Sequence, residues 1–262
     1  MSDDLVLCDV AENVAIVTIN RPKALNALSD AMLAAMTETL TKLAGDTQVK
    51  AVIIRGAGKV FCAGHDLKEM QAGRAADDKG AGYFADLFAR CGTLMQLIPS
   101  MPQPVIAQVH GIATAAGCQL VASCDMAVAA SDARFGVNGV NIGLFCSTPM
   151  VALTRNLSRK QAFEMLTTGE FIAAERAREV GLINRVAAPE DLDAVTLDLA
   201  KTVAAKLGAA VRIGKRAFYA QLALPLDQAY AYTGAVMAEN MLLRDTDEGI
   251  SAFIEKRKPD WA

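Results

Sequence analysis

Three segments place small residues at the end of an apolar run, a pattern that leaves backbone N–H groups free to meet negative charge. The first is Arg55-Gly56-Ala57-Gly58-Lys59-Val60-Phe61-Cys62-Ala63-Gly64-His65-Asp66-Leu67, a strand running into glycines and then toward a helix opening at Asp66. The second, His110-Gly111-Ile112-Ala113-Thr114-Ala115-Ala116-Gly117-Cys118-Gln119-Leu120, repeats that logic as strand, glycine turn and small-residue helix. A helix N-terminus presents unpaired amides and the positive end of its dipole, so two such termini converging would supply an oxyanion hole. The third, Phe135-Gly136-Val137-Asn138-Gly139-Val140-Asn141-Ile142-Gly143-Leu144, is a glycine-spaced loop expected to lead into a new helix after Pro149.

Other chemistries fit these residues less well. Gly56-x-Gly58 lacks the third glycine and the acidic strand end of a dinucleotide fingerprint, and Gly111 to Gly117 lacks the Lys-Ser/Thr of a phosphate loop. Ser123 and Ser147 have no glycine elbow around them, which disfavours a serine hydrolase. A thiol nucleophile at Cys62 or Cys118 would need a histidine partner that the sequence does not put beside either. His110 flanks an apolar strand and reads as a packed, hydrogen-bonded core residue. With His65 and His110 the two histidines and no ligand cluster near them, no metal site is expected.

The elements that must position these segments follow from periodicity. Leu5 to Val10 and Val14 to Ile19 read as a hairpin turning at Ala11-Glu12-Asn13, ended by Arg21-Pro22. Ser29 is placed to cap a helix from Asp30 to Ala44, with Leu33, Met36, Leu40 and Leu43 at helical spacing. Ala51 to Ile54, Val105 to Ala107 and Met126 to Val128 look like fully buried strands, and their alternation with helices predicts parallel βα units. Gln71 to Gly82 has no usable apolar period and is expected to be a mobile loop that orders on ligand binding. From Pro189 onward the pattern is helical: Leu192 to Leu207, Ala209 to Gln221, Leu226 to Leu243 and Glu248 to Arg257.

Composition bounds the function further. The 262 residues carry 26 Lys and Arg against 29 Asp and Glu, a net charge of −3 that argues against a nucleic-acid partner. No run approaches the roughly 18 apolar residues of a membrane span. The acidic start Met1-Ser2-Asp3-Asp4 is unlike a targeting segment, so a cytoplasmic protein is expected. Six cysteines without a CxxC pair read as buried or incidental thiols. The composition shift places an α/β core over residues 1–195 and a helical C-terminal region over 196–262. Tyr230, Val236, Met237, Met241, Leu242 and Leu243 put apolar side chains on more helix faces than one domain hides, which predicts an oligomer.

Taken together, Asn20-Arg21-Pro22-Lys23-Ala24-Leu25-Asn26-Ala27-Leu28, Phe61-Cys62-Ala63-Gly64-His65-Asp66-Leu67-Lys68 and His110-Gly111 through Cys124-Asp125 resemble the crotonase superfamily, the enoyl-CoA hydratase/isomerase family. Gly249 to Pro259 resembles that family's ending, so the likeness spans nearly the whole chain. Ala115 to Leu120 with Gly139 to Pro149 is similar to one subgroup within it. The resemblance implies an α/β crotonase-like spiral of ββα units closed by a helical C-terminal trimerisation region, a homotrimer or homohexamer, and an acyl-CoA ligand with no separate cofactor. Carried over by position, Lys23, Ala24 and Leu25 would line the pantetheine and nucleotide end. Ala63, Asp66, Leu67 and Lys68 would surround the adenine, and Phe253 and Lys256 would reach a CoA on a neighbouring subunit. The backbone N–H groups of His65 and Ala116 would polarise the thioester carbonyl.

One departure from the family matters most. Hydratases of this family hold and activate water with two glutamates, and the matching positions here are Gln119 and Gly139. Gln does not exchange a proton near neutral pH and Gly carries no side chain, so classical hydration is expected to be weak. Two readings stay open: an enzyme whose chemistry needs mainly enolate stabilisation, such as decarboxylation or thioester cleavage, and a non-catalytic acyl-CoA sensor or scaffold. If only the acid/base pair is missing, Gln119→Glu with Gly139→Glu should raise hydration.

Overall fold

Glu12 and Asn13 both take left-handed backbone angles (φ 49° and 63°), the two-residue turn whose twist matches paired strands. They join β1 (Val6–Ala11) to β2 (Val14–Ile19) in register, Val6 opposite Ile19. The Ser29 hydroxyl then accepts from the Met32 N–H at 3.2 Å and opens α1 (Asp30–Gly45), which buries Met32, Leu33, Met36, Leu40 and Leu43 on one face. In this computed structural model, which describes residues 4–261, the chain continues through β3 (Ala51–Gly56), α2 (Leu67–Gly73), α3 (Ala81–Ser100), β4 (Val105–Val109), β5 (Ile112–Thr114) and α4 (Ala116–Ser123). There follow β6 (Met126–Ala130), β7 (Arg134–Gly136), α5 (Ser147–Leu153), α6 (Arg159–Thr168), β8 (Ile172–Ala173), α7 (Ala174–Glu179) and β9 (Arg185–Ala187). Four helices close the chain: α8 (Leu192–Ala204), α9 (Gly208–Gln221), α10 (Leu226–Met241) and α11 (Arg244–Ile254).

The strands form two layers. A six-stranded sheet in the order β1-β2-β3-β4-β6-β9 is parallel except for the opening hairpin, and a three-stranded sheet has the order β5-β7-β8. Single bridges Leu28 to His65 and Cys62 to Ala113 extend the small sheet backward along the chain. Each turn of chain thus gives one long strand to the large sheet and one short stretch to the small one, and then a helix. That is the spiral of ββα units expected from the resemblance. Its core strands are buried along β3 and β4, which explains why their sequences are continuous rather than alternating.

Several expectations are corrected. Residues 71–82 are not a featureless loop: 71–73 finish α2, 81–82 open α3, and the Asp78 carboxylate accepts from the Gly80 and Gly82 N–H groups at 2.9 and 2.8 Å. Close packing of Gly73 on the Tyr83 ring, and of Gly80 on the Gly73 carbonyl, holds this turn without the apolar period that a sequence pattern needs. α5 begins at Ser147, before Pro149, because a proline in the first turn gives up an N–H that had no helical partner. α11 starts four residues and ends three residues earlier than expected, and Arg257 beyond it pairs with Glu248. Residue 195 falls inside α8, whose Thr196, Leu199 and Ala200 are buried.

The helical region is pinned to the core by a buried charge. Lys215 on α9 donates to the Ile98 and Gln103 carbonyls at 2.9 and 2.8 Å and to Asp125 Oδ2 at 2.6 Å. Asp125 also accepts from the Val105 N–H and from the Tyr219 hydroxyl. Burial pushes the Lys215 amine below its ordinary value, against the pull of Asp125. Removing one member leaves the other charge buried without its partner. Lys215→Ala should therefore cost about 3–5 kcal/mol in urea unfolding, with Lys215→Ala/Asp125→Ala losing less than the sum of the singles; additive losses would show that the two charges do not stabilise each other.

Candidate active site

The spiral brings the first two small-residue segments face to face. The Leu28 N–H donates to the Gly64 carbonyl at 2.8 Å and the Asp66 N–H to the Leu28 carbonyl at 3.3 Å, which turns the intervening His65 N–H away from that ladder. Gly117 on α4 sits against the Cys62 carbonyl so tightly that any side chain there would overlap it. Gly64 takes φ 91°, and a methyl built on it would stand 3.4 Å from the Ala116 nitrogen and 3.0 Å from the Ala115 methyl. The two peptide segments are thus at contact distance. Ala116 is the first residue of α4, and neither its N–H nor that of His65 has an acceptor among the described residues. Ala115 adopts φ 49°, ψ −119°, a strained conformation for a residue with a side chain.

Hydrogen bonds also assemble the expected ligand-binding segments. Lys23 and Ala24 lie in a short 3-10 turn, Pro22–Ala24, and Leu25 follows in the left-handed region with its carbonyl accepting the Ala63 N–H at 3.1 Å. Asn26, fully buried, donates to the Ala57 and Val60 carbonyls and accepts from the Arg21 N–H, tying this turn to the glycine loop. Residues 23–25 and 63–68 therefore form one continuous surface, from which Leu67 and Lys68 are exposed. Asp66 is not free for a ligand: it caps α2 through the Lys68 and Glu69 N–H groups and pairs with Arg21 at 2.6 Å. Its burial would raise the carboxyl pKa, but the Arg21 hydrogen bond and the two amides outweigh that and hold it below the usual value. Phe253 and Lys256 are not brought to this surface. Phe253 stands on α11, 84% exposed, and Lys256 lies just beyond the helix.

Gln119 and Gly139, the positions expected to stand where the family has glutamates, differ in kind. Gln119 lies one turn beyond Ala116 on α4 and is 4% exposed. Gly139 sits in the 3-10 turn Asn138–Ile142, where a β-carbon would overlap the Leu144 carbonyl and stand 2.9 Å from Cys146 Sγ. This corrects the expected rescue: a carboxylate side chain at 139 needs the 144–146 backbone to move. The nearby polar groups are committed elsewhere, with Asn138 accepting from the Thr114 hydroxyl at 2.6 Å and Asn141 donating to the Gly169 carbonyl. Ser147 is exposed, its hydroxyl turned back to the Phe145 carbonyl. His110 bonds the Gly58 carbonyl through its ring at 3.0 Å, as a packed structural histidine does.

The His65 side chain is half-buried behind its backbone N–H. The imidazole packs edge-on to Phe88 of α3, with ring centroids 5.8 Å apart, and burial holds it below its ordinary pKa and so neutral at physiological pH. A histidine following Ala-Gly, with a helix-start aspartate after it, was the available signal. Among the described residues no cluster of His, Cys, Asp and Glu could hold a metal ion.

A ββα spiral of this kind, with two free-amide segments packed against each other, has the architecture of the crotonase fold. The model of the enoyl-CoA hydratase/isomerase family matches residues 9–262. The chain belongs to that family. It is 54% identical to a solved enoyl-CoA hydratase of Mycobacterium smegmatis, with a TM-score of 0.95 over 99% of both chains. It is 43% identical to the solved human enoyl-CoA hydratase domain-containing protein 3, with a TM-score of 0.94 over 98% of this chain and all of that one. The mouse protein of the same name is 46% identical over 94% of this chain and 80% of its own length. This is the subgroup that Ala115 to Leu120 and Gly139 to Pro149 resemble. The mouse protein and its human counterpart are named as mitochondrial, a finding that overturns the cytoplasmic expectation. An import address is a segment read apart from the fold, so the acidic first four residues do not decide the compartment.

The thiols do not supply a nucleophile. Burial pushes Cys62 and Cys118 up to about 12 and Cys91 up to about 11, and it raises Cys124 and Cys146 as well. Of the six cysteines, Cys8 alone is exposed. Iodoacetamide at about pH 8 should therefore modify Cys8 in the folded protein and the other five only after denaturation; rapid labelling of Cys62 or Cys118 by mass spectrometry would contradict this account of the site.

Proposed function

We propose that this chain binds acyl-CoA thioesters and stabilises negative charge on the thioester oxygen, in chemistry that does not depend on a paired-carboxylate water site. The observation that carries this reading is the pair of unpartnered amides, His65 and Ala116, on two segments that Gly64 and Gly117 let approach to contact distance. An enolate or tetrahedral oxyanion formed from a thioester puts its charge on one oxygen, and each preorganised donor removed from such a hole costs about 3–4 kcal/mol of stabilisation. Decarboxylation and thioester cleavage need that donor pair first. Family membership supports a role in acyl-CoA metabolism; the missing carboxylates favour a second reading, an acyl-CoA sensor or scaffold without turnover. A panel of thioesters separates the two by whether any is consumed well above background.

The continuous surface of Lys23, Ala24, Leu25, Ala63, Leu67 and Lys68 supports CoA binding beside the hole, with Asp66 fixing the α2 terminus rather than touching the ligand through its carboxylate. The exposure of Phe253 and Lys256 is what a contact with a neighbouring subunit's CoA requires. Tyr230, Met237 and Leu242 are 73%, 70% and 86% exposed, which supports burial of the α10 face in a homotrimer or homohexamer.

Charge reversal at Lys23, Lys68 or Lys256 should weaken CoA by about 1–3 kcal/mol and reduce its salt dependence in titration calorimetry. Full affinity in all three variants would remove the lysines from the phosphate site.

Hydration of a short 2-enoyl-CoA should be slow or undetectable by loss of the enoyl-thioester absorbance, and Gln119→Glu alone should not restore it, because the second carboxylate has no room at Gly139. Fast hydration by the unaltered protein would sink this reading.

A further inference from the structure

A cavity of about 600 Å³ opens between α9 and the segment that leads from α3 into β4, a volume within the range of small-molecule sites. Pro99, Pro102, Ile213 and Leu243 give it half-buried apolar walls, and Arg212 and Arg216 line it with them. The two arginines stand one helical turn apart on the same face of α9, where like charges repel. Arg21, Arg90 and Arg257 each hold a carboxylate, but among the described residues neither Arg212 nor Arg216 has an ion-pair partner. A third cation joins them: a β-carbon built on Gly208 would stand 3.2 Å from Arg212 Nη1 and 3.9 Å from the Lys50 side chain. Asp125, the acid behind the Tyr219 wall, is already spent, because its oxygens accept from Lys215, the Val105 N–H and the Tyr219 hydroxyl.

We propose that this cavity binds an amphiphilic anion, an aliphatic chain ending in a carboxylate or phosphate, with the charged end on Arg212 and Arg216 and the chain on the apolar walls. A guanidinium fork matches the planar oxygens of either head group, and two of them one turn apart grip a single anion from both sides. The chain gains by leaving water against Pro99, Pro102, Ile213 and Leu243. A neutral or cationic head group would leave the crowded arginines uncompensated. The cavity precedes β4, whereas the amides of His65 and Ala116 come after the ends of β3 and β4, and those two strands run parallel. The two places therefore lie at opposite ends of the large sheet, and this inference does not rest on thioester binding.

Titration calorimetry of the full chain with octanoate, octyl phosphate, octanol and octylamine tests it. Both anions should bind about tenfold or more tightly than octanol and octylamine, the effect of a charge-assisted hydrogen bond, and the tighter of the two identifies the head group. Arg212→Gln with Arg216→Gln, which keeps good helix formers on α9, should bring octanoate and octyl phosphate down to the affinity of octanol. Saturating CoA should leave octanoate binding unchanged. Equal affinity for octanol and the anions, full affinity in the double variant, displacement of octanoate by CoA, or no binding of either anion would each overturn the proposal.

Discussion

Everything at the site depends on how closely two backbone segments approach each other. The N-terminus of α4 meets residues 62–64 with no side chain between them at Gly117, and with only hydrogens to spare at Gly64. Parallel pairing of β3 with β4 sets the height at which each chain leaves the large sheet, and the Cys62 to Ala113 bridge fixes the register one layer out. Two segments carrying free amides then meet because the spiral repeats, not because either loop is special. The left-handed angles at Gly64 and Gly111 and the strained Ala115 are the local cost of bringing the segments together.

Charge is distributed according to what each place must do. Below the sheet, Lys215 and Asp125 lock the helical region to the core with every donor used, a geometry that buried ions require. Around the free amides of His65 and Ala116 the side chains are uncharged: Gln119 is an amide, Gly139 has no side chain, and burial holds His65 below its ordinary pKa. A neutral, buried environment strengthens the two backbone dipoles that remain.

Gly139 shows how backbone can take the space that a side chain would occupy. Its α-carbon has been drawn against the Leu144 carbonyl, and its own carbonyl accepts the Leu144 N–H at 2.9 Å. The turn that follows depends on this contact, so the space a longer side chain would occupy has been filled by backbone. Gln119, by contrast, is a full-length side chain buried on α4, with the size of a glutamate and no charge.

The sequence by itself determined the elements and most of the site's backbone. Periods of two and 3.6 residues are set by burial on one face, so the Leu5 to Ile19 hairpin, the Ser29-capped helix and the buried strands could be read locally. The glycine-rich segments marked where main chain approaches main chain, and the residues at 119 and 139 already showed that no carboxylate pair was present. Tertiary structure decided what no local pattern carries. Lys215 and Asp125 are 90 residues apart, and nothing in either neighbourhood announces the other. The turn at 74–80 is held by Asp78 and by glycines packed on aromatic rings, not by an apolar stripe. The environment of the His65 ring is decided by α3 and the start of α1, while its N–H is decided by its own strand. Backbone direction follows from short-range rules, whereas a side chain's surroundings depend on which distant segments the fold sets against it.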